Sequence, residues 1–400
     1  MTAPAQLFAH LSQPARLLGT AGLTLAIGIL WVGCGLQDQP GADSKWEWAL
    51  PPGFPTPKVP EDNPMSAAKV ELGRFLFYDR KLSFNEGQSC ASCHRQELGF
   101  SDGLPLSFGT TGVMLPRNSM GLANVAYQST LTWANPNLKT LEDQIVIPMF
   151  GEEPVEMGIT GHEEEVLGRF QGDAEYVERF AAAFPDEDDP ITFGNIIKAL
   201  ASFCRTMISG NSPYDKWSYQ GDEGAMSLSA KRGLNLFFSE QLECFHCHGG
   251  FNFALSTTYE GINDEPFAFQ NTGLYNVDGE GGYPVGATGL YEFTGEPGDM
   301  GKFRTMSLRN VTVTAPYLHD GTAATLDDML DIYAAGGRIV EGGANAGDGT
   351  ANPHKSGFVS GFVLTDQQRI DVMAFLESLT DETFLSDPSL SDPFVTSGSN

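Results

Sequence analysis

The sequence predicts a mostly α-helical protein built from two similar halves, and three observations lead to that fold class. Apolar residues recur at helical spacing along much of the 400-residue chain, whereas the alternation typical of strands is scarce. The motif C-x-x-C-H occurs twice, at residues 90–94 and 244–248. Each copy follows a helical run of the form Gly-x-x-Leu/Phe-Phe, so the second half is a weak repeat of the first.

The composition excludes several classes of protein. Hydrophobic residues make up 41% of the chain, which argues against disorder, and charged residues make up only 18%, which argues against a coiled coil. With 51 acidic and 23 basic residues the net charge is −28, and such a chain repels phosphate backbones, so no nucleic-acid partner is expected. The charge could attract a basic protein partner or could serve solubility alone.

The apolar periodicity predicts a series of helices with the motifs in the loops between them. Ser66 is a suitable N-cap for the first helix, and a later helix carries Cys204 beside its apolar face, where a free, buried, structural thiol is expected. The Gly-rich stretches 271–300 and 336–357 are expected to be loops. The helices are expected at residues 67–78, 141–147, 163–170, 173–184, 191–208, 229–238 and 366–379.

The N-terminus carries the pattern of an export signal. Arg16 precedes an apolar run at residues 17–32, which is short for a spanning helix and is typical of a signal-peptide core. The run ends at Gly33-Cys34, which resembles the bacterial lipoprotein cleavage box, although Trp31 stands where leucine is usual. On this interpretation Cys34 is acylated and anchors the mature protein. Ordinary cleavage nearby and an uncleaved anchor are the alternatives, and each of the three would export the chain.

The patterns divide the chain into four segments. A Pro-rich stretch after the signal peptide predicts a flexible tether, and each motif-bearing half is expected to form one domain. The expected segments are a signal peptide at 1–33, the tether at 34–60, an N-terminal domain at 61–222 and a C-terminal domain at 223–400.

The two C-x-x-C-H motifs predict two covalently bound c-type haems. Two thiols three residues apart can form thioethers with the two vinyl groups of a haem, and the next residue then presents an imidazole to the iron. The expected fold is therefore mostly α, with two cytochrome-c-like domains that each hold one haem. The attachment residues are Cys90, Cys93 and His94 in the first motif and Cys244, Cys247 and His248 in the second.

Two other interpretations of the paired cysteines fit less well. Zinc ribbons separate their cysteine pairs by roughly 15–20 residues. The pairs here lie much farther apart in the chain, and each carries an additional histidine. A redox disulfide of the thioredoxin type needs a βαβ setting that the sequence does not indicate.

A longer pattern in the second half points to a family. Residues 301–311, followed by Thr-Ala-Pro-Tyr-Leu-His-Asp-Gly at 314–321, strongly resemble the di-haem cytochrome c peroxidase/MauG superfamily. The resemblance extends over residues 63–380. Part of it looks most like the methanobactin-associated, MbnH-like branch, namely residues 122–127, Trp133 and residues 154–158.

The resemblance implies a second axial ligand for the haem held by His248. Peroxidases of the family use a methionine there, whereas the MauG-type branch uses a tyrosine, and Tyr333 occupies that place in this sequence. A phenolate is a hard anionic donor that stabilises high-valent iron and lowers the reduction potential. The alternative keeps Tyr333 as a core aromatic and makes Met329, one helical turn earlier, the ligand.

The haem held by His94 is the implied peroxide site. Family peroxidases that need reductive activation carry a histidine in the loop after the first motif, and the loop at 99–117 has none, so this iron is expected to be permanently open. Glu156 matches the family's distal glutamate, which moves a proton during peroxide cleavage, although it could be a surface glutamate. Gln144 matches a pocket glutamine that orients peroxide. The segment between these two residues is longer than in the family pattern.

Further assignments concern the region between the two haems. Trp133 stands where the family keeps a tryptophan, and an indole there can carry charge, pack the interface, or do both. The resemblance also implies a calcium site, and oxygen ligands of this kind suit Ca²⁺. Its expected ligands are Asn118 and the backbone carbonyls of Thr314 and Pro316. His319 receives no ligand role.

The resemblance leads to one favoured function and one alternative. The favoured function is a MauG/MbnH-like oxidoreductase that takes two oxidising equivalents from hydrogen peroxide, shares them between the haems through Trp133, and oxidises a tryptophan or tyrosine of a periplasmic partner protein. The alternative is a cytochrome c peroxidase that reduces hydrogen peroxide with electrons from a small cytochrome c or cupredoxin. A non-enzymatic electron carrier is disfavoured by the missing loop histidine. Membrane contact is expected only through a lipid anchor at Cys34.

Overall fold

The structure is a computed structural model that describes residues 46–262 and 268–395. Within these ranges the chain is mostly helical, as the sequence predicts. The predicted signal peptide and Cys34 lie outside the described residues. The helices are α1 Ala67–Tyr78, α2 Leu141–Phe150, α3 Glu163–Gln171, α4 Ala174–Ala183, α5 Phe193–Arg205, α6 Pro213–Gln220, α7 Leu228–Phe237, α8 Tyr291–Thr294, α9 Leu326–Ala335, α10 Asp366–Glu377 and α11 Glu382–Leu385.

The strands are short and form two antiparallel pairs. They are β1 Phe269–Gln270, which pairs with β2 Phe303–Arg304, and β3 Ile339–Val340, which pairs with β4 Gly347–Asp348. None of the helices in the described part of the chain is long and apolar enough to cross a membrane.

Two helices that are absent from the predicted set, α6 and α9, begin with capping boxes. In α6 the Ser212 hydroxyl accepts from the Asp215 amide while the Asp215 carboxylate accepts from the Ser212 amide. Thr325 and Asp328 make the same reciprocal pair at the start of α9. Each box supplies hydrogen-bond acceptors to backbone amides that have no partner at the start of a helix. A Ser or Thr followed three residues later by Asp was therefore the sequence signal for these two helix starts.

The internal repeat appears as two similar helix contacts. α1 packs against α5 at Gly73, where a Cβ atom would lie 2.0 Å from the Ala199 carbonyl oxygen. α7 packs against α10 at Gly233, where a Cβ atom would lie 1.8 Å from the Asp371 carbonyl oxygen. Because no side chain fits at either position, each glycine lets two helices approach closely, and the repeated sequence pattern marks that approach.

Two hydrophobic cores follow these two helix pairs. The first draws its side chains chiefly from α1 to α5 and includes Cys204, whose thiol is buried as expected. The second draws on α7, α9 and α10. Phe384 and Leu390, near the C-terminus, pack into the first core rather than the second. A third, smaller cluster includes Ala134 and Phe303. The division into two domains at residues 222 and 223 stays a prediction.

Residues 46–60, which fall in the predicted flexible tether, lie packed against the rest of the described chain. The Phe54 ring is buried and makes edge contacts with the rings of Tyr127 and Phe251. The Tyr127 hydroxyl donates to the Pro55 carbonyl oxygen at 2.8 Å. This half of the segment is therefore not a free linker, because its aromatic and carbonyl groups have partners that a Pro-rich composition does not reveal.

Candidate functional site

Each C-x-x-C-H motif forms a short 3₁₀ turn, Cys90–Ser92 in the first and Cys244–His246 in the second. Side chains three residues apart eclipse one another in a 3₁₀ turn. The two cysteines of each motif are therefore brought to the same side, which is what attachment to two vinyl groups of one haem requires. The following histidine closes the turn, since the His94 amide donates to the Cys90 carbonyl at 3.1 Å and the His248 amide to the Cys244 carbonyl at 2.9 Å.

The imidazoles of both motifs are held in the orientation that an iron ligand needs. His94 Nδ1 lies 2.8 Å from the Phe100 carbonyl oxygen, and His248 Nδ1 lies 3.1 Å from the Phe253 carbonyl oxygen. A carbonyl can only accept, so Nδ1 carries the proton and Nε2 keeps its lone pair. Burial lowers the pKa of both histidines, although the hydrogen bonds to Phe100 and Phe253 oppose that change. Both rings are therefore neutral donors to a metal.

Phe100 and Phe253 are functional positions that sequence reasoning missed. Both have positive φ angles, 62° for Phe100 and 49° for Phe253, in the left-handed region that bulky residues rarely adopt. This backbone turns the carbonyl of each phenylalanine toward the histidine of its motif. The signal in the sequence was a phenylalanine placed five or six residues after the motif histidine, next to Gly99 in the first half.

A large apolar cavity lies beside the second motif. Cys244, Cys247 and His248 are on its wall, and both Met329 and Tyr333 reach it from α9. Paired thiols, a neutral imidazole and an apolar lining are what a covalently attached haem needs, so these residues fit the group that the motif implies. The apolar lining includes Phe237, Leu242, Leu308, Val311, Leu330, Val372 and Leu376.

Tyr333 lies on this wall in a position that suits a haem ligand. Burial raises the pKa of its phenol well above the ordinary value, and the neighbouring Cys247 and Cys244 add to the rise. Tyr333, Cys244 and Cys247 line the same cavity. Met329 shares the cavity, so the geometry brings both candidate ligands to the site and the choice of Tyr333 stays a prediction.

Glu156 lies close to the first motif. Burial is the main cause that raises the pKa of the Cys90 and Cys93 thiols, and the Glu156 carboxylate contributes to both. Burial also raises the pKa of Glu156 itself. The residue is fixed by its backbone, because the Thr110 amide donates to the Glu156 carbonyl at 2.7 Å. A half-buried carboxyl group of raised pKa beside a haem attachment site is suited to proton transfer.

Gln144 lies on α2. Its Oε1 atom is buried and has no hydrogen-bond partner in the part of the chain that the structure describes. The segment after Glu156 runs along the end of this helix, since the Met157 amide donates to the Pro148 carbonyl at 2.9 Å. A buried amide oxygen without a donor is rare, and it could accept a hydrogen bond from a small protic ligand such as peroxide.

Trp133 lies between the two motifs. Its indole Nε1 donates to the Asn118 carbonyl at 2.8 Å, and its ring lines the cavity of His248. The neighbouring Ser119 hydroxyl donates to the Cys93 carbonyl at 2.7 Å. Trp133 is therefore linked to the first motif through two consecutive residues while it faces the site of the second.

The three expected calcium ligands lie around one cavity. Asn118, Thr314 and Pro316 all line the same cavity. The Asn118 amide nitrogen donates to the Leu104 carbonyl at 2.8 Å, and this bond points its Oδ1 atom away from that partner. Oxygen donors of this kind suit a hard cation, and the calcium assignment stays a prediction.

The chain resembles known proteins over most of its length. Residues 67–224 match the family model of the di-haem cytochrome c peroxidases. The chain is 35% identical to cytochrome-c peroxidase IdrP1 of Denitromonas iodatirespirans, over 92% of this chain and 96% of that protein. It is 31% identical to methylamine utilization protein MauG of Methylorubrum extorquens, over 91% and 92% respectively. The crystal structure of a MauG-like protein associated with microbial copper homeostasis superposes with a TM-score of 0.85 at 47% identity, and the match covers 88% of this chain and 100% of that one.

Proposed function

Because the chain belongs to the di-haem cytochrome c peroxidase/MauG family and is a haem peroxidase-type oxidoreductase, we propose that it uses hydrogen peroxide to oxidise a tryptophan or tyrosine of a partner protein. The family implies two covalently bound haem c groups as cofactors. The similarity to the MauG-like copper-homeostasis protein is consistent with the methanobactin-associated branch. The observation that carries the proposal is the position of Tyr333 on the wall of the cavity beside the second motif.

Tyr333 supports a MauG-type function because of the chemistry of a phenolate ligand. An anionic oxygen donor lowers the potential of its iron and stabilises oxidised states that a thioether does not. The loop at 99–117 adds a second argument, since it contains no histidine that could occupy the peroxide side of the first haem. The Tyr333 ligand and the loop without a histidine together favour a protein that reacts with peroxide without prior reduction. Such a protein then stores the two oxidising equivalents until the partner is oxidised.

Glu156 and Gln144 would carry the acid–base work. When bound, the haems supply the iron at which the peroxide bond breaks and oxidising power is held. The Glu156 carboxylate takes the proton from the near oxygen of hydrogen peroxide and returns it to the far oxygen, which leaves as water. The raised pKa of Glu156 makes this carboxylate a better proton acceptor than an exposed one. The unpartnered Oε1 of Gln144 accepts the remaining peroxide hydrogen and so orients the molecule.

Trp133 would carry electrons between the two sites. Each hydrogen peroxide takes up two electrons and two protons and yields two molecules of water. The partner residue supplies both electrons, so its oxidation is balanced by the reduction of one peroxide. The indole of Trp133, which lines the cavity beside the second motif and is linked to the first motif, is the group through which one of these electrons passes.

The proposed partner is a protein of the periplasm. The predicted signal peptide exports the chain, and a lipid anchor at Cys34 would keep it at the membrane. The net charge of −28 favours a partner with a basic docking face. From the structural neighbour we extend an association with copper homeostasis to this chain. The calcium ion at Asn118, Thr314 and Pro316 is part of the same proposal.

A cytochrome c peroxidase is the second candidate function. Met329 lines the same cavity as Tyr333 and would give the second haem a methionine ligand. The 35% identical relative is named a cytochrome-c peroxidase. Electrons would then come from a small cytochrome c or cupredoxin, and no partner residue would be modified.

The two functions are separated by following the fate of the partner. The purified holoprotein is mixed with hydrogen peroxide and a candidate partner protein from a neighbouring gene, and the partner is analysed by peptide mass spectrometry. An altered mass at one tryptophan or tyrosine, formed without any added reductant, is the expected result. Peroxide consumption that requires reduced cytochrome c or cupredoxin and leaves every candidate partner unmodified would instead establish the peroxidase.

A further inference from the structure

Arg304 is buried in the wall of the cavity beside the second motif, without a carboxylate partner. Only 5% of its surface is exposed. Its guanidinium donates to the Thr132 carbonyl at 2.9 Å, to the amide oxygen of Gln128, and to the sulfur of Met120 at 3.2 Å. All three acceptors are neutral, and within residues 46–262 and 268–395 no carboxylate lies within ion-pair distance. Burial lowers the pKa of Arg304 to about 10, so it remains charged at neutral pH.

The other buried arginines of the described chain are neutralised. Arg205 pairs with Glu142 in the first core, and Arg309 pairs with Asp215 at 2.6 Å. A buried charge without a counter-ion is costly, which explains why these two have one. Among the buried arginines of the described residues, Arg304 is therefore the one without a counter-ion. It lines the cavity that has His248 on its wall.

Two further donors on the same cavity wall have no acceptor. The Gln270 Nε2 atom and the His319 Nε2 atom are both buried without a hydrogen-bond partner in the described ranges. Gln270 lies opposite Phe303 in the β1–β2 pair, and the His319 ring stacks on Phe303 with centroids 3.7 Å apart. Burial lowers the pKa of His319 to about 4, so its ring is neutral and can donate one N–H.

The set of side chains defines the ligand chemistry. Two cations, Arg304 and Arg309, line this mostly apolar cavity, and Arg309 is already paired with Asp215. The acidic side chain on the wall, Glu243, lies 2.7 Å from His246 and is not paired with Arg304. What such a wall lacks is a carboxylate or another oxyanion. A haem attached at the second motif brings two carboxylates, its propionates.

We propose that Arg304, with Gln270 and His319, binds the propionates of the haem attached at Cys244 and Cys247. Arg304 would pair with one carboxylate, and the two neutral donors would complete the hydrogen bonds. The Arg304 amide also donates to the Trp133 carbonyl at 2.7 Å, so the propionate wall adjoins the proposed electron path. The inference needs the haem that the family implies and does not depend on partner oxidation.

The pairing has a consequence for the potential of the second haem. A guanidinium beside a propionate keeps it ionised, so its charge stays constant as the pH changes. Without Arg304 the buried propionate has a raised pKa, and its protonation becomes coupled to reduction of the iron. The other titratable groups on this cavity wall are His248, His319, Tyr317, Tyr333, Glu243, Cys244 and Cys247, with Arg309 as the second cation, and all are unchanged in an Arg304 variant.

The experiment is spectroelectrochemical titration of both haems in the full holoprotein between pH 6 and 9. Arg304→Gln is expected to lower the potential of the second haem at pH 9 and to steepen its fall with pH relative to the wild type. Arg304→Lys, which keeps the charge, is expected to restore much of the wild-type profile. Arg232→Gln removes an exposed arginine that pairs with Asp371, and it is expected to leave the profile unchanged.

Two outcomes would overturn the proposal. Identical profiles for Arg304→Gln and the wild type would show that no propionate depends on this cation. A shift in the reduction potential of the first haem alone would show that Arg304 acts on the first haem and not on the second. If Arg304→Gln does not incorporate haem, His319→Phe and Gln270→Leu serve as milder variants, because each removes one donor and keeps a side chain of similar shape. Each should shift the second-haem potential by less than Arg304→Gln does, and no shift in either would count against the proposal.

Discussion

The indole Nε1 of Trp133 donates a 2.8 Å hydrogen bond to the backbone carbonyl of Asn118. The next residue, Ser119, donates through its hydroxyl to the Cys93 carbonyl at 2.7 Å. On its other side Trp133 lines the cavity that receives the second haem. A short path of covalent and hydrogen bonds therefore joins the attachment site of one haem to the pocket of the other.

Trp133→Phe should slow the exchange of oxidising equivalents between the two haems. Phenylalanine keeps most of the packing but is far harder to oxidise, and it cannot donate to Asn118. Rapid-mixing spectroscopy after peroxide addition would show the first haem reacting at an unchanged rate and the second haem changing more slowly. Trp217→Phe is the control, since Trp217 bonds to the exposed Glu223. Equal exchange rates in Trp133→Phe and the wild type would contradict the proposed path.

Glu156→Gln should slow the reaction with peroxide by roughly 10²–10⁴-fold, the usual contribution of a general acid–base group. Burial raises the pKa of Glu156, so the wild-type rate should fall as the pH drops through that raised pKa and the carboxylate becomes protonated. The variant should lack this acidic limb. Stopped-flow measurements across the acid range test both points.

Glu153→Gln is the matched control for Glu156, because Glu153 is exposed and lies in the same segment. It should retain both the wild-type rate and the wild-type pH dependence. A similar loss of rate in both variants, or an acidic limb that persists in Glu156→Gln, would assign proton transfer to another group.

Tyr333→Met should raise the reduction potential of the second haem, because a thioether stabilises reduced iron better than a phenolate does. Met329→Leu removes the competing candidate one helical turn away and should leave the potential unchanged. Potentiometric titration of both variants decides between the two residues. A shift in Met329→Leu with none in Tyr333→Met would make Met329 the ligand and favour the cytochrome c peroxidase.

Gly73→Ala and Gly233→Ala should each destabilise the protein by roughly 1–3 kcal/mol, the usual cost of overpacking a core. In each case the added methyl group would lie about 2 Å from a backbone oxygen of the facing helix, so the helices must separate. Denaturant unfolding of the holoprotein measures the effect. Gly168→Ala in α3 is the control, since it meets no atom within 4 Å and should be neutral or stabilising. Wild-type stability in both core variants would show that the helix contacts are looser than described.

Local sequence patterns were sufficient to predict those parts of the candidate site that depend only on the spacing of residues along the chain. The attachment residues follow from C-x-x-C-H because three residues set the reach of two thiols, and the helix before each motif follows from its apolar face. Gly73 and Gly233 were visible as a repeated pattern. Their reason, the closeness of α5 and α10, appears only once the helices are packed.

Other features depend on contacts between distant parts of the chain. The carbonyls of Phe100 and Phe253 act through an unusual backbone angle that composition does not disclose. Residues 46–60 have the composition of a linker, yet Phe54 is buried against Tyr127. Arg304 could be recognised as unusual only after its surroundings were known, because an arginine in a sequence carries no sign of its missing counter-ion.

We expect the haem of His94 to be open to peroxide and the haem of His248 to carry a second protein ligand. Low-temperature EPR of the oxidised holoprotein, followed by one equivalent of hydrogen peroxide without reductant, tests it most directly. The expected spectrum has one high-spin and one low-spin ferric signal, both of which are lost on reaction with peroxide. Two low-spin signals that persist with peroxide until the protein is half-reduced would contradict it.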